Sequence, residues 1–251
     1  MTVPPGQLAK RRRRRMSGMT WMFLGLLIFF IAGGVFTSII NSIRDRVPAQ
    51  IMQQAAPRSY AGVDNFETTD GGVTFANVEP PDGPADKAGL VGGDLITTVD
   101  GQPVHSDDEM TEILRRIPIG NTVDVIYIRD GETKNTKLTT ISREEMKRLE
   151  DVFANRPQGR GQFGYNGRGE RVEIPNTKTF GVELGGIEAN NPADLAGIKE
   201  GDIVVEFGGI PIRTPDELMS RVRRALPYST VTVVVMRNGE RLEIPVKMGK
   251  R

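Results

Sequence analysis

With 251 residues, 38% of them apolar and 26% charged, the chain has room for one or two domains and the composition of a folded soluble protein, which excludes a disordered chain and a polytopic membrane protein. It contains no cysteine, so disulfides, zinc–thiolate sites, cysteine nucleophiles and iron–sulfur clusters are excluded. Net charge is +1, but six of the 33 basic residues, Lys10 and Arg11 to Arg15, cluster in the N-terminal tail, where no acidic residue stands; a basic tail on a mildly acidic body is not the pattern of a nucleic-acid-binding fold.

That tail, residues 1–18, stands in front of an apolar run from Met19 to Ile40 that includes Trp21, Phe23, Leu24, Phe29, Phe30 and Phe36 and holds no charge. As a helix it would span about 33 Å, against roughly 30 Å of bilayer hydrocarbon. The run is longer than a signal peptide's apolar region, and Val35-Phe36-Thr37-Ser38 is a poor cleavage site, so an uncleaved transmembrane helix over 19–40 is expected. The arginines place the N-terminus in the cytoplasm and the rest of the chain outside the bacterial inner membrane. Asn41 to Arg58, with Pro48 and Pro57 among glutamines, reads as a polar tether.

Beyond the tether the chain repeats itself. Pro84-Ala85 recurs as Pro192-Ala193, Gly89-Leu90 as Gly197-Ile198, Gly93-Asp94-Leu95-Ile96 as Gly201-Asp202-Ile203-Val204, and Asp130-Gly131 as Asn238-Gly239, always 108 positions on. Two copies of one domain follow, over 59–141 and 171–248. In the first, a strand over Val73 to Val78 leads to a short helix at Pro84, a strand over Asp94 to Val99 and a turn at Asp100-Gly101. Ser106-Asp107-Asp108-Glu109 is a capping box opening an amphipathic helix whose Met110, Ile113 and Leu114 face the core, and Thr214-Pro215-Asp216-Glu217 opens its counterpart. Each helix is followed by a hairpin, Thr122–Arg129 with Thr133–Thr139 and Val231–Arg237 with Arg241–Val246, closed by Asp-Gly and Asn-Gly pairs suited to type I′ turns. Ser142 to Ala154 reads as a charged helix, and the glycines and arginines of 158–169 read as a flexible linker, so 142–170 separates the copies. The fold class is mostly β with short helices (α+β): one N-terminal transmembrane helix and two small β-sandwich or barrel domains.

The run from Val78-Glu79-Pro80 through Pro84-Ala85-Asp86-Lys87-Ala88-Gly89-Leu90, Gly93-Asp94-Leu95-Ile96 and Asp100-Gly101-Gln102-Pro103-Val104 strongly resembles the PDZ domains of HtrA-type bacterial proteases, and the second copy matches through Asn191-Pro192-Ala193, Gly201-Asp202-Ile203-Val204 and Gly209-Ile210-Pro211-Ile212. The resemblance implies a groove between a strand and the second helix, where an extended peptide, usually a C-terminus, adds as a further strand. It makes Tyr60-Ala61-Gly62-Val63 the carboxylate loop and first strand, with Asp107 and Thr111 lining the groove. In the second copy the equivalent segment is either Arg171-Val172-Glu173-Ile174, which has no glycine, or Phe180-Gly181-Val182; its helix would offer Pro215 and Met219.

HtrA-type enzymes carry a trypsin-like domain ahead of their PDZ domains, where only the tether stands here. The single histidine, His105, lies between a strand and a helix cap, and no His-Glu-x-x-His motif occurs, so no catalytic residue, metal site or cofactor is expected. The expected role is a membrane-anchored adaptor whose partners are protein C-termini or unfolded segments and a membrane or periplasmic protease, with no nucleic acid. A single membrane helix followed by an extracytoplasmic PDZ domain also resembles the inner-membrane coupling component of type II secretion, although two copies depart from that pattern. An HtrA-like homologue lacking catalytic residues is the remaining reading.

Overall fold

A computed structural model describes residues 59–166, 169–175 and 177–251. The basic tail, transmembrane helix and tether expected over 1–58 lie outside the described residues. Among the described residues no helix is long and apolar enough to cross a membrane.

The first copy is a six-stranded antiparallel sheet wrapped around two helices. β1 (Val63–Thr69), β2 (Gly72–Val78), β3 (Leu95–Val99), β5 (Thr122–Arg129) and β6 (Glu132–Thr139) are neighbours in that order, and β4 (Gln102–Pro103) pairs with β3. α1 (Pro84–Lys87) begins on a proline, whose missing N–H costs nothing at a first helical position. α2 (Asp107–Arg116) is capped by the Ser106 hydroxyl, which accepts from the Glu109 N–H at 3.2 Å, and buries Met110, Ile113 and Leu114 as its periodicity requires. Asp130 and Gly131, at φ +55° and +78°, make the left-handed turn that their types allow. β1 ends the sheet, so one of its edges carries no strand.

α3 (Arg143–Ala154) leads to the second copy: β7 (Gly161–Gln162), β8 (Gly169–Glu173), β9 (Phe180–Leu184), α4 (Pro192–Leu195), β10 (Ile203–Phe207), β11 (Ile210–Pro211), α5 (Pro215–Arg224), β12 (Thr230–Arg237), β13 (Glu240–Lys247) and β14 (Gly249–Lys250). The sheet order β13-β12-β10-β9-β8 repeats that of the first copy, with β8 at the end as β1 is. Each copy also ties the start of its third strand to the end of its fifth through a buried carboxylate. Arg129 donates to Asp94 at 2.6 and 2.7 Å and to the Gly89 carbonyl; Arg237 donates to Asp202 at 2.6 Å and to the Gly197 carbonyl.

Residues 161–166 are not linker. β7 pairs with β14, and Phe163, 1% exposed, meets Tyr165 and Phe207 edge-to-face with ring centroids 5.9 and 6.0 Å apart. Glycine-rich composition signalled flexibility, but the two aromatics within it are core residues of the second domain.

The two copies are fastened along β2. That strand pairs with β1 over its length, but with β3 only at Val73, so the Ala76 carbonyl and both main-chain groups of Val78 are left without a ladder partner on the other side. Side chains of the α5 region supply one. Thr214 donates to the Ala76 carbonyl, Glu217 accepts from the Val78 and Gly92 N–H groups at 3.0 Å each, and Arg224 donates to the Val78 carbonyl. Arg221 and Arg224 also reach Asp86 of α1 at 2.9 and 2.7 Å, and Arg213 makes two 2.8 Å bonds to Asp130. Neither capping box closes as the sequence suggests: Glu109 turns to the His105 N–H, and Glu217 accepts from Arg221 of its own helix and from two N–H groups of the neighbouring domain.

Asp86 gives this junction a pH signature. Burial opposes its charge, but Arg224, the Asp82 N–H and Arg221 outweigh that and hold its carboxyl below the usual carboxylate range. A depressed folded pKa contributes stability that is complete above the unfolded value, about 3.9, and is lost as pH falls through the lower folded value. The stability gap between the native chain and Asp86→Asn is therefore expected to be constant near neutrality and to close below about pH 4. Denaturant midpoints measured across that range check it, and a gap unchanged down to pH 2 would contradict it.

Candidate binding grooves

The first copy has a cavity between the end strand of its sheet and its longer helix, and the second has one between its longer helix and the loop ahead of its end strand. The first, of about 370 Å³, is lined by the loop Ser59 to Val63, by Thr111, Leu114 and Arg115 of α2, and by Met146 and Glu150 of α3. Gly62, at φ +79°, turns the chain into β1. The Ala61 and Gly62 carbonyls are held by the N–H groups of Ala85 and Glu79 at 2.8 and 3.2 Å, which fixes the loop. Among the described residues the N–H groups of Ala61 and Gly62 have no acceptor. Two adjacent free amides beside a left-handed glycine form a concavity suited to an anion.

The structure thus brings Tyr60, Ala61, Gly62, Val63 and Thr111 to one cavity. Asp107 stands apart, at the far end of the same trough: its N–H donates to the Thr68 hydroxyl at 3.0 Å, and that hydroxyl donates back to its carboxylate at 3.1 Å, pinning the start of α2 to the end of β1.

The second cavity, of about 620 Å³, is lined by Arg160 to Tyr165, by Met219, Val222 and Arg223 of α5, and by Glu188 and Arg251. Its loop is Gln162-Phe163-Gly164-Tyr165. The N–H groups of Ala193 and Glu188 hold the Phe163 and Gly164 carbonyls at 2.8 and 2.9 Å, and Gly164 is at φ +90°, so every anchor of the first loop is reproduced. The Phe163 and Gly164 N–H groups are likewise without acceptor among the described residues. Of the expected residues only Met219 is here. Phe180, Gly181 and Val182 belong to β9, one strand inward; Val182 is in the core, and the Arg171 guanidinium lies 4.2 Å from the centroid of the Phe180 ring. Arg171 to Glu173 are in β8, the groove strand itself, downstream of the loop.

The displacement has a simple cause. Gly62 precedes Pro84 by 22 residues while Gly164 precedes Pro192 by 28, because the β8–β9 connection is longer than the two-residue β1–β2 turn and Gly164 stands further ahead of its strand than Gly62 does. A search at the constant spacing of 108 passes over Gly164. The signal that finds it is a glycine next to an aromatic just before the end strand, which Tyr60-Ala61-Gly62 and Phe163-Gly164-Tyr165 share loosely.

Tyr165 has a buried hydroxyl without a partner among the described residues, and burial pushes its phenol up to about 12. α3 connects the sites physically: its Met146 and Glu150 wall the first cavity, and Arg156, just past its end, donates to the carbonyls of Arg223, Arg224 and Ala225 at the C-terminus of the second groove's helix.

Two matches to the PDZ domain family model, over residues 61–140 and 166–248, cover these same units. The chain belongs to the PDZ domain family. Curated relatives include a probable periplasmic serine endoprotease, DegP-like, from Halomonas elongata, 26% identical over 181 residues, 72% of this chain and 38% of that protein. The DegP-like protein of Pseudomonas fluorescens is 29% identical over 187 residues, 71% of this chain and 38% of its own length. The chain therefore spans less than two fifths of these relatives. Among solved structures, the HtrA-type protease AlgW with a decapeptide aligns over 51% of this chain and 50% of its own, at 15% identity and a TM-score of 0.36. The resemblance to HtrA-type PDZ domains read from the motifs holds, and it is the PDZ region of this chain that is matched.

Proposed function

We propose that this PDZ protein is a membrane-anchored adaptor that captures exposed C-termini or extended segments in both grooves and feeds or regulates proteolysis outside the cytoplasm. The observation that carries the reading is the Gly62 loop. Two free N–H groups adjoin a cavity beside β1, an edge strand whose outer side carries no strand. A terminal carboxylate satisfies the amides, the peptide main chain pairs with β1, and the last side chain enters the cavity among Phe66, Leu114 and Met146. The Gly164 loop and β8 offer the same arrangement. The relatives' names as periplasmic endoproteases support the link to proteolysis, and the apolar run over 19–40 behind its arginines supports the anchor and the extracytoplasmic placement. No catalytic role is proposed for any residue.

Titration of the full chain with peptides ending in a free carboxylate or an amide tests this. Free termini are expected to bind about tenfold or more tightly, the value of one or two charge-assisted hydrogen bonds. Gly62→Val, which strains a left-handed position and presses on Pro84, is expected to remove the first site's share of that binding. Equal binding of amidated and free peptides would count against capture of C-termini.

A further inference from the structure

The two cavities are built from equivalent positions and carry opposite charge. Arg115 of α2 and Arg223 of α5 occupy the same place in the repeat, each over its own cavity. In the first groove the arginine has a carboxylate partner on its own helix: Arg115 donates to Glu112 at 2.7 Å, a carboxylate that also accepts from Arg116 at 3.2 Å. The counterpart of Glu112 in α5 is Ser220, and among the described residues no carboxylate pairs with Arg223.

The surroundings reinforce the difference. Asp64, Glu79 and Glu150 line the first cavity. They crowd one another: burial, then Glu79 and Glu150, raise the Asp64 carboxyl above the usual range. Arg160 and Arg251, both exposed, join Arg223 around the second, whose lining carboxylate Glu188 accepts from the Asn191 amide at 3.0 Å and keeps its charge, so arginines outnumber carboxylates there as carboxylates outnumber arginines in the first. The unpartnered Tyr165 hydroxyl adds a polar group at that cavity with nothing to bond.

We infer that the two grooves select opposite ligands, the first taking termini with Lys or Arg beside the last residue and the second taking termini with Asp or Glu there. This rests on the reading that both grooves receive chain termini. Charge complementarity at a groove rim sets selectivity and approach rate more than total affinity, so the apolar last residue can be common to both ligand classes. One chain would then hold two different client ends at once rather than one sequence twice.

The test uses the full chain and three peptides with a free C-terminus and the same apolar last residue, preceded by two aspartates, two lysines or two serines. At low salt the aspartate peptide is expected to lose about tenfold in affinity in Arg160→Glu/Arg223→Glu, and the lysine peptide about tenfold in Asp64→Lys/Glu150→Lys, each leaving the other peptide unchanged. The serine peptide reports whether each variant keeps its grooves. Independently of any variant, 1 M salt is expected to erase the advantage of both charged peptides over the serine peptide, because the Debye length falls to about 3 Å. Charged and serine peptides binding alike to the native chain at low salt would overturn the inference while leaving groove binding intact. Failure of all three to bind would overturn the groove reading, and the inference with it.

Discussion

Glu217→Ala is expected to cost about 3–5 kcal/mol and to let the two domains unfold separately, because it strips a buried carboxylate from the centre of their junction. Glu217 is fully buried, and its carboxylate accepts from Val78, Gly92 and Arg221. Removing it orphans two buried amide N–H groups and leaves Arg221 with Asp86 alone. Gly92 leaves no slack for rearrangement, since a Cβ there would overlap the Ala76 carbonyl. Glu217→Gln, which keeps an acceptor but loses the ionic pairing, is expected to fall in between. Equilibrium denaturation of the full chain measures both; a loss under 1 kcal/mol for the alanine variant would mean that the junction does not depend on this residue.

Gly164→Val is expected to abolish peptide capture by the second groove while sparing the first. The residue is at φ +90°, costly for a β-branched side chain, and an added Cβ would collide with that of Asn191. Relief requires the Gln162–Tyr165 loop to move, and with it the two free amides. The expected readout is loss of second-site binding by at least about tenfold, with the Gly62 site titrating as in the native chain. Undiminished binding at both sites would show that the Gly164 loop is not where the terminus is held.

The contrast between Gly62 and Gly164 shows what a single sequence makes legible. Turns and caps are local: Asp130-Gly131, Asn238-Gly239, Ser106 and Thr214 each do in the structure what their chemistry dictates within a few residues. Gly62 was legible because it stands directly before a strand. Gly164 was hidden by a longer connection further along and by neighbouring glycines that imitate a linker. Asp107 reads as a groove residue from its helix position, and in the structure it is bonded to Thr68, a pairing across 39 residues that periodicity does not encode.

Glu217 carries the lesson furthest. Three positions after Thr214, it has the spacing of a capping-box acid, and its equivalent Glu109 stays beside its own helix. Nothing within either repeat distinguishes them. What the sequence by itself determined was the unit: two PDZ copies, their strands, helices and hairpin turns, all consequences of interactions between near neighbours and of a repeat that can be counted. Only the tertiary structure decided how the units are joined, sending Glu217 to the unpaired edge of β2, because a buried carboxylate takes whichever donors folding brings within about 3 Å, and those donors lie 125 and 139 residues away.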